Sequence, residues 1–352
     1  MQAAGGAADA STRWGANAVE LEVMRYLPRQ DLTEALKGYD LIQVIAGGPA
    51  LAYVTRRLRV PTVLLAASLV DWERVSLLAQ LGSRRPLVST MTHLTTRVER
   101  AALRTADKIL VMNSTLQARL RSYGHDNVEV AFPGVDVRRF VPHQSGWQRS
   151  GPIISVARLA EPRKRLDRTI WAYSLAVAAD RNIPSLVLAG KGDLPAGLRA
   201  LIDQLRLRSR VEVRQDLTAG QLQDLYQTAS VFLQTSHEEG FGIAVLEAMA
   251  SGLPVVATAT AGTSETVVPG ATGWLIPQMR EVQLHRLIAE KLLEVLHGPG
   301  EELGKNGRAR CIEAYSDEGA LAPFIDTYER VRQTTDMRLE GLPSRGRSRF
   351  AR

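Results

Sequence analysis

A single cysteine, Cys311, stands in 352 residues. That excludes an intramolecular disulfide and any metal site built on several thiolates. Aromatic residues are scarce at 5%. A basic stripe interleaved with stacking rings therefore has little to be made from, and no nucleic acid is expected as a partner. Nowhere does the chain approach the roughly 18–20 uninterrupted apolar residues that a membrane-spanning helix needs. The opening MQAAGGAADAST has neither the basic n-region nor the apolar h-region of a secretion signal. What is present is a hydrophobic fraction of 45% with a mean hydropathy of −0.10. That is enough for real cores, over a length that suits two domains better than one. The expectation is a soluble, cytoplasmic protein of two domains.

Charge is unevenly placed. The net charge is +7. Residues 1–150 hold 19 Arg and Lys against 13 Asp and Glu, and residues 338–352 hold five Arg against one Glu. The stretch between them is slightly acidic, so basicity belongs to the first half and the tail. An anionic membrane surface or a phosphorylated ligand fits this distribution. A merely solvated, Arg-rich surface fits it too.

Along the chain, short apolar runs suited to buried parallel strands occur at 40–45, 60–65, 108–112 and 128–131. A second set follows at 152–156, 185–189, 211–213, 231–234 and 254–257. Amphipathic stretches such as 90–105, 165–180, 194–207 and 241–251 lie between them. Strands alternating with helices predict βαβ units, and so parallel sheets covered on both faces. Nine strands are more than one open sheet usually carries without splitting. The turn cluster Phe132-Pro-Gly-Val-Asp136 and the polar, breaker-rich 142–152 mark the split. The expected organisation is a first domain over 1–141, a second over 142–317 and a helix over 318–336 packing back toward the first. A basic tail over 337–352 has too little apolar content to fold.

Two segments carry chemistry. In Ser236–Gly252, SHEEGFGIAVLEAMASG, a strand ends, the chain turns on glycines, and an Ala-rich helix begins. The first N–H groups of such a helix have no intrahelical partner and can hold an anion. Glu239 sits in the turn, and Glu247 about five residues into the helix if Gly242 starts it. That separates them by very roughly 10 Å at 1.5 Å per residue, a span that suits a ribose diol and a sugar joined through a diphosphate. A surface glutamate and a carboxylate favoured by the helix dipole would look the same locally. In the second segment, Val156–Asp167, a strand leads into a loop with Arg158, Arg163, Lys164 and Arg165. A cationic loop at the C-terminal edge of a parallel sheet is where α/β folds bind ligands, and Arg and Lys both suit phosphate. A solvated basic loop is the plainer alternative. Gly190, in AGKGD at 189–193, adds a flexible turn at another strand end.

Here the residues resemble a known family. Glu239-Gly-Phe-Gly-Ile-Ala-Val-Leu-Glu247 resembles the E-x7-E signature of the group 1 glycosyl transferases, retaining enzymes of the GT-B fold. The run from Ala248 to Ala257 and that from Ala261 to Ile276 are similar to the family's following strand, glycine-rich turn and last strand. The segment from Val156 to Asp167 is similar to its strand-Arg-loop-Lys element, and the resemblance extends over about 38–334, dense in the second half.

The resemblance implies an α/β, GT-B type chain: two Rossmann-like domains facing a cleft, acceptor side first and donor side second. It implies a nucleotide-diphosphate sugar as co-substrate, with no separate cofactor. Glu239 would accept hydrogen bonds from the transferred sugar and Glu247 from the ribose. Arg158, Lys164 and the helix N–H groups after Gly240 would neutralise the diphosphate, with Phe241, Gly242, Gly190, Gly262 and Thr263 completing the donor site. No Asp-x-Asp occurs, so the metal-clamped leaving group of the other glycosyltransferase fold has no ligand motif. Metal-independent transfer with retention is expected. The acceptor, lipid-linked or a glycan, would bind the first domain. Arg97, Arg100 and Arg104, spaced along one helix, would suit peripheral contact with an anionic inner membrane face. Two departures stand out. Gly5-Gly6 has only four residues ahead of it, so the first domain is expected to lack its first βα unit. Leu65-Ala-Ala-Ser-Leu69 holds no histidine where many relatives place one. A non-catalytic or truncated nucleotide-binding GT-B subunit, and a GT-B sugar-nucleotide epimerase, remain open alternatives.

Overall fold

The computed structural model describes residues 22–74 and 85–340. Gly5 and Gly6, on which the missing first βα unit was argued, lie outside the described residues, as does the tail from 341 onward. Among the described residues, ten strands form two parallel sheets. In the first, β1 (Ile42–Ala46), β2 (Thr62–Ala66), β3 (Lys108–Val111) and β4 (Val128–Val130) lie side by side in chain order. The second holds β5 (Ile153–Val156), β6 (Leu186–Gly190), β7 (Val211–Gln215), β8 (Val231–Gln234), β9 (Val255–Thr258) and β10 (Gly273–Ile276). Its order is β10-β9-β8-β5-β6-β7. The chain builds outward from β5 to β7, returns to the other side of β5 with β8, and builds outward again. That reversal leaves a crevice beyond the C-terminal ends of β5 and β8, the place where doubly wound sheets take ligands.

The strands read as apolar runs because both faces are covered. Successive residues point to opposite faces, so Ile153, Leu186 and Leu188 enter one core layer and Ile154, Val187 and Ala189 the other. The first layer is closed by α4 (Leu166–Ala179), α5 (Ala196–Gln204) and α9 (Glu281–His297). The second is closed by α6 (Ala219–Thr228), α7 (Ile243–Ala250) and α10 (Gly300–Ala314). In the first sheet, Leu64 and Ala66 pack under α2 (Arg85–Thr105) and α3 (Ser114–Ser122). Val63, Leu65 and Leu110 face the other way and meet Phe324 of α11 (Asp317–Glu340). The last helix therefore covers a face of the first sheet. Each such side chain taken fully out of water is worth about 1.5–3 kcal/mol.

Two boundaries differ from expectation. α11 continues to Glu340, beyond the 318–336 helix and into the stretch read as tail. β10 is the last strand that the resemblance implied, too short and too glycine-led to show in the apolar periodicity. The segment read as a glycine-rich turn opens as a short helix, α8 (Ala261–Thr266), whose start is fixed by a reciprocal cap between Thr260 and Thr263.

Candidate active site

β5 and β8 each deliver a loop to the crevice, and the two loops are tied together. After β5 the chain runs through Arg158 into a single 3-10 turn, Pro162–Lys164, and enters α4 through Arg165 in the left-handed region, φ 49°. After β8 the backbone N–H of His237 donates to the Arg163 carbonyl at 2.8 Å. Lys164 Nζ lies 2.5 Å from Glu239 Oε2, and each side chain is only 13% exposed. Gln234 Nε2 donates to the same oxygen at 3.3 Å. Arg163 pairs with both Glu161 and Glu238. Arg165 turns the other way, to Asp167 and Glu281, so the four cations of this loop divide into three at the crevice and one outside it. Arg158 stands at the rim, 63% exposed, with Nε 2.7 Å from Glu161.

Glycines set the shape. Gly190 has φ 151°, and a Cβ there would fall 1.6 Å from the Ala157 carbonyl oxygen, so the ends of β5 and β6 can approach only without a side chain. Gly240 lies against the first sheet: a Cβ would meet the Ala67 oxygen at 2.6 Å, and the Gly240 carbonyl accepts from Asn113 Nδ2 at 2.7 Å. Asn113 also caps α3 through its Oδ1. Ser68 Oγ donates to Glu238 at 3.0 Å. The β8–α7 loop thus touches loops of both sheets. Phe241 stacks on Phe132 at 5.4 Å, and Gly242, φ 91°, opens α7.

The result is a cavity of about 500 Å³ bounded by Arg158, Arg163, Lys164, Gly190, Lys191 and Glu239, by the Gly240–Ala244 start of α7, and by Gly47, Ser68, Glu73 and Met112 from the first sheet. Of the residues singled out from the sequence, Arg158, Lys164, Gly190, Glu239, Gly240, Phe241 and Gly242 are brought together on its wall. Glu247 is one turn further along α7. Its Oε2 accepts from the fully buried Tyr226 hydroxyl at 2.8 Å, and burial pushes its carboxyl above the ordinary range, against the pull of that hydrogen bond and of Arg139. Gly262 and Thr263 stand behind the loop, buried. Gly262 leaves room for the Phe241 backbone, 2.5 Å from where a Cβ would sit, and Thr263 Oγ1 donates to the Thr258 carbonyl. Sequence reasoning missed Ser68, Glu73, Asn113 and Tyr226. Asn113 had a signal, a capping residue directly after a strand. The others had none, because each acts across the fold. Among the described residues no three His, Cys, Asp or Glu side chains are grouped to hold a metal ion.

Known proteins are similar to this chain in sequence and fold. The family model of the group 1 glycosyl transferases matches residues 138–313, the half of the chain that supplies most of the cavity. The chain belongs to that family. An alpha-maltose-1-phosphate synthase of Mycobacterium tuberculosis is 29% identical over 76% of this glycosyltransferase and 75% of its own length. A GDP-mannose-dependent alpha-mannosyltransferase of the same organism is 30% identical over 71% of this chain and 64% of its own. WcaL of Salmonella typhimurium, named for colanic acid biosynthesis, is 30% identical over 64% of this chain, which spans 57% of that relative's length. Among solved structures, sucrose-phosphate synthase from Thermosynechococcus elongatus superposes with a TM-score of 0.69 at 24% identity, covering 86% of this chain and 76% of that one. Anabaena HepE in complex with UDP superposes at 0.63 with 20% identity, covering 85% and 81%. The fold is GT-B.

Proposed function

We propose that this glycosyltransferase moves a sugar from a nucleotide-diphosphate donor to an acceptor hydroxyl, with retained anomeric configuration and without a metal clamp. The observation that carries the reading is the buried Lys164–Glu239 pair beside the open N-terminus of α7, with Arg158 at the rim. Lys164, Arg158 and the first α7 N–H groups supply fixed positive charge where a leaving diphosphate accumulates negative charge. Donors already oriented in a water-poor crevice stabilise that charge without reorganising. Glu239, held by Lys164 and Gln234, keeps its second oxygen to accept from hydroxyls of the transferred sugar. Glu247, with Oε2 fixed by Tyr226, keeps Oε1 for a ribose. The absence of Asp-x-Asp from the sequence supports assigning the diphosphate to these cations. The two relatives whose names specify an alpha product or enzyme, and HepE with UDP, support the retaining and nucleotide parts of the reading.

The acceptor side is the first sheet. Arg97, Arg100 and Arg104 lie exposed along α2, which supports a lipid-linked acceptor met at an anionic cytoplasmic membrane face. No helix among the described residues is long and apolar enough to cross a membrane. Equal co-sedimentation with neutral and anionic vesicles would sink the membrane part.

Thermal shifts with UDP, GDP, ADP and dTDP test the donor site. A ligand at about 100 times its Kd stabilises by roughly 2.7 kcal/mol, which is several degrees in Tm for a domain of this size. One nucleotide is expected to shift the protein, and Glu247→Ala to weaken that shift. No shift with any of the four would leave the non-catalytic reading in its place.

A further inference from the structure

The cavity has two chemically unlike walls. The loops of the second sheet bring Arg158, Arg163, Lys164 and Lys191, with Glu239 the one carboxylate. The loops of the first sheet bring Gly47, Ala67, Ser68, Glu73 and Met112. Among these described residues Glu73 is the only charged group. Its carboxylate has no hydrogen-bond or ion-pair partner among the described residues. Of the two cations that act on it, Arg163, the stronger, is already held by Glu161 and Glu238, and Arg74 donates to Thr92. Glu73 is placed there by its own turn, its N–H donating to the Leu69 carbonyl at 3.1 Å. Its Oε1 lies 3.0 Å from where a Cβ on Gly47 would be, so the glycine ending β1 leaves space for the carboxylate at the cavity.

A half-buried carboxylate with no donor is short of solvation. Burial raises the Glu73 carboxyl above its ordinary range, Arg163 pulls it back, and Glu238 and Glu161 add to the rise. A hydroxyl is the group that relieves this, since it donates a hydrogen bond without adding charge. A phosphate or carboxylate in the same place would meet a like charge and no free cation on that wall. Ser68 Oγ, already donating to Glu238, offers only its lone pairs to a second hydroxyl of the same molecule.

We propose that Glu73 accepts a hydrogen bond from an acceptor hydroxyl beside the reacting one, and that the acceptor end entering the cavity is an uncharged sugar or polyol, not a phosphate-bearing one. This rests on the donor site proposed above. Glu73 binds and orients the acceptor, and no bond to Glu73 forms or breaks: the reacting oxygen bonds the anomeric carbon as the bond to the diphosphate breaks, and its proton goes to the departing diphosphate.

The test follows release of nucleoside diphosphate from the sugar nucleotide whose base gives the thermal shift. Acceptor probes are methyl glucosides, myo-inositol and glycerol against glucose 6-phosphate and glycerol 3-phosphate. The wild type is expected to be stimulated by the uncharged set and not by the phosphates. Glu73→Gln is expected to raise the acceptor KM about tenfold or more while keeping the nucleotide shift. Glu73→Lys is expected to turn the preference toward the phosphates. Stimulation by the phosphates, by neither set, or equally in Glu73→Gln and wild type would overturn the proposal. So would loss of the nucleotide shift in both folded variants, because Glu73 would then serve the donor or the fold. Absence of any nucleotide shift in the wild type would instead overturn the donor site on which the proposal rests.

Discussion

Lys164 and Glu239 neutralise one another with each side chain 13% exposed, and the donor reading gives each a ligand contact beyond that pair. Lys164→Ala removes a cation from the leaving group and leaves Glu239 uncompensated. Its kcat is expected to fall about 10²–10³-fold, with a smaller nucleotide shift, as a coupled assay and a melting curve would show. Glu99 on α2 is a different kind of residue. It is 3% exposed, its Oε2 accepts from the Val70 N–H at 2.9 Å, and burial raises its carboxyl to about 7. A carboxyl whose folded pKa is raised stabilises the fold below its unfolded value, near 4.5, and that contribution is lost as pH rises through about 7. Glu99→Gln can still accept from Val70 and carries no charge. It is expected to match the wild type near pH 4.5 and exceed its stability at pH 8 by on the order of 3 kcal/mol, measured by urea unfolding at the two pH values. At this scale Lys164 and Glu239 were legible, because motif chemistry names them. Glu73, Glu99 and Tyr226 were not, because a carboxylate or a phenol gains its role from burial, which sequence spacing does not report.

At the scale of elements, the close approach of β5 and β6 is decided by Gly190. Alanine there would be strained at φ 151° and would drive a Cβ into the Ala157 carbonyl. Gly190→Ala is expected to lose several kcal/mol or fail to fold, whereas Gly192→Ala, with open space around it at φ 82°, should lose about 1–2 kcal/mol. Urea midpoints of the two variants would rank them. Nine strands were readable because buried parallel strands are continuous apolar runs, and their ends differ from expectation by at most two residues. β10 and α8 escaped periodicity because a four-residue strand that starts on a glycine and a six-residue helix are too short for any period. The end of α11 was misjudged for a related reason: helix continues by local hydrogen bonding after the apolar content that anchors it has run out.

Over the whole molecule, the two sheets are joined by polar and aromatic contacts in the β8–α7 loop and by α11. Val135 bonds the backbone on both sides of Ser316, its N–H donating to the Tyr315 carbonyl at 2.8 Å and its carbonyl accepting from the Asp317 N–H at 3.1 Å. The chain therefore crosses between sheets twice at one place. Phe324, 9% exposed, then anchors α11 on Val63, Leu65 and Leu110. Phe324→Ala is expected to cost about 3–4 kcal/mol and to make 317–340 exchange amide hydrogens ahead of the rest of the chain. Unchanged protection in α11 would show that the helix is held elsewhere.

By itself the sequence determined the parallel α/β architecture, since apolar runs alternating with amphipathic ones cover both faces of a sheet. It also determined the family and which residues gather at the strand–glycine–helix turn, because such a turn is local and its spacing is written in one segment. Only the tertiary structure decided which of the four neighbouring cations face the crevice, that Tyr226 holds Glu247, and that Glu73 stands across the cavity from Lys164. Those pairings join residues far apart in the chain. The physical quantities that make them matter, burial and the loss of water around charge, exist only once the two sheets have met.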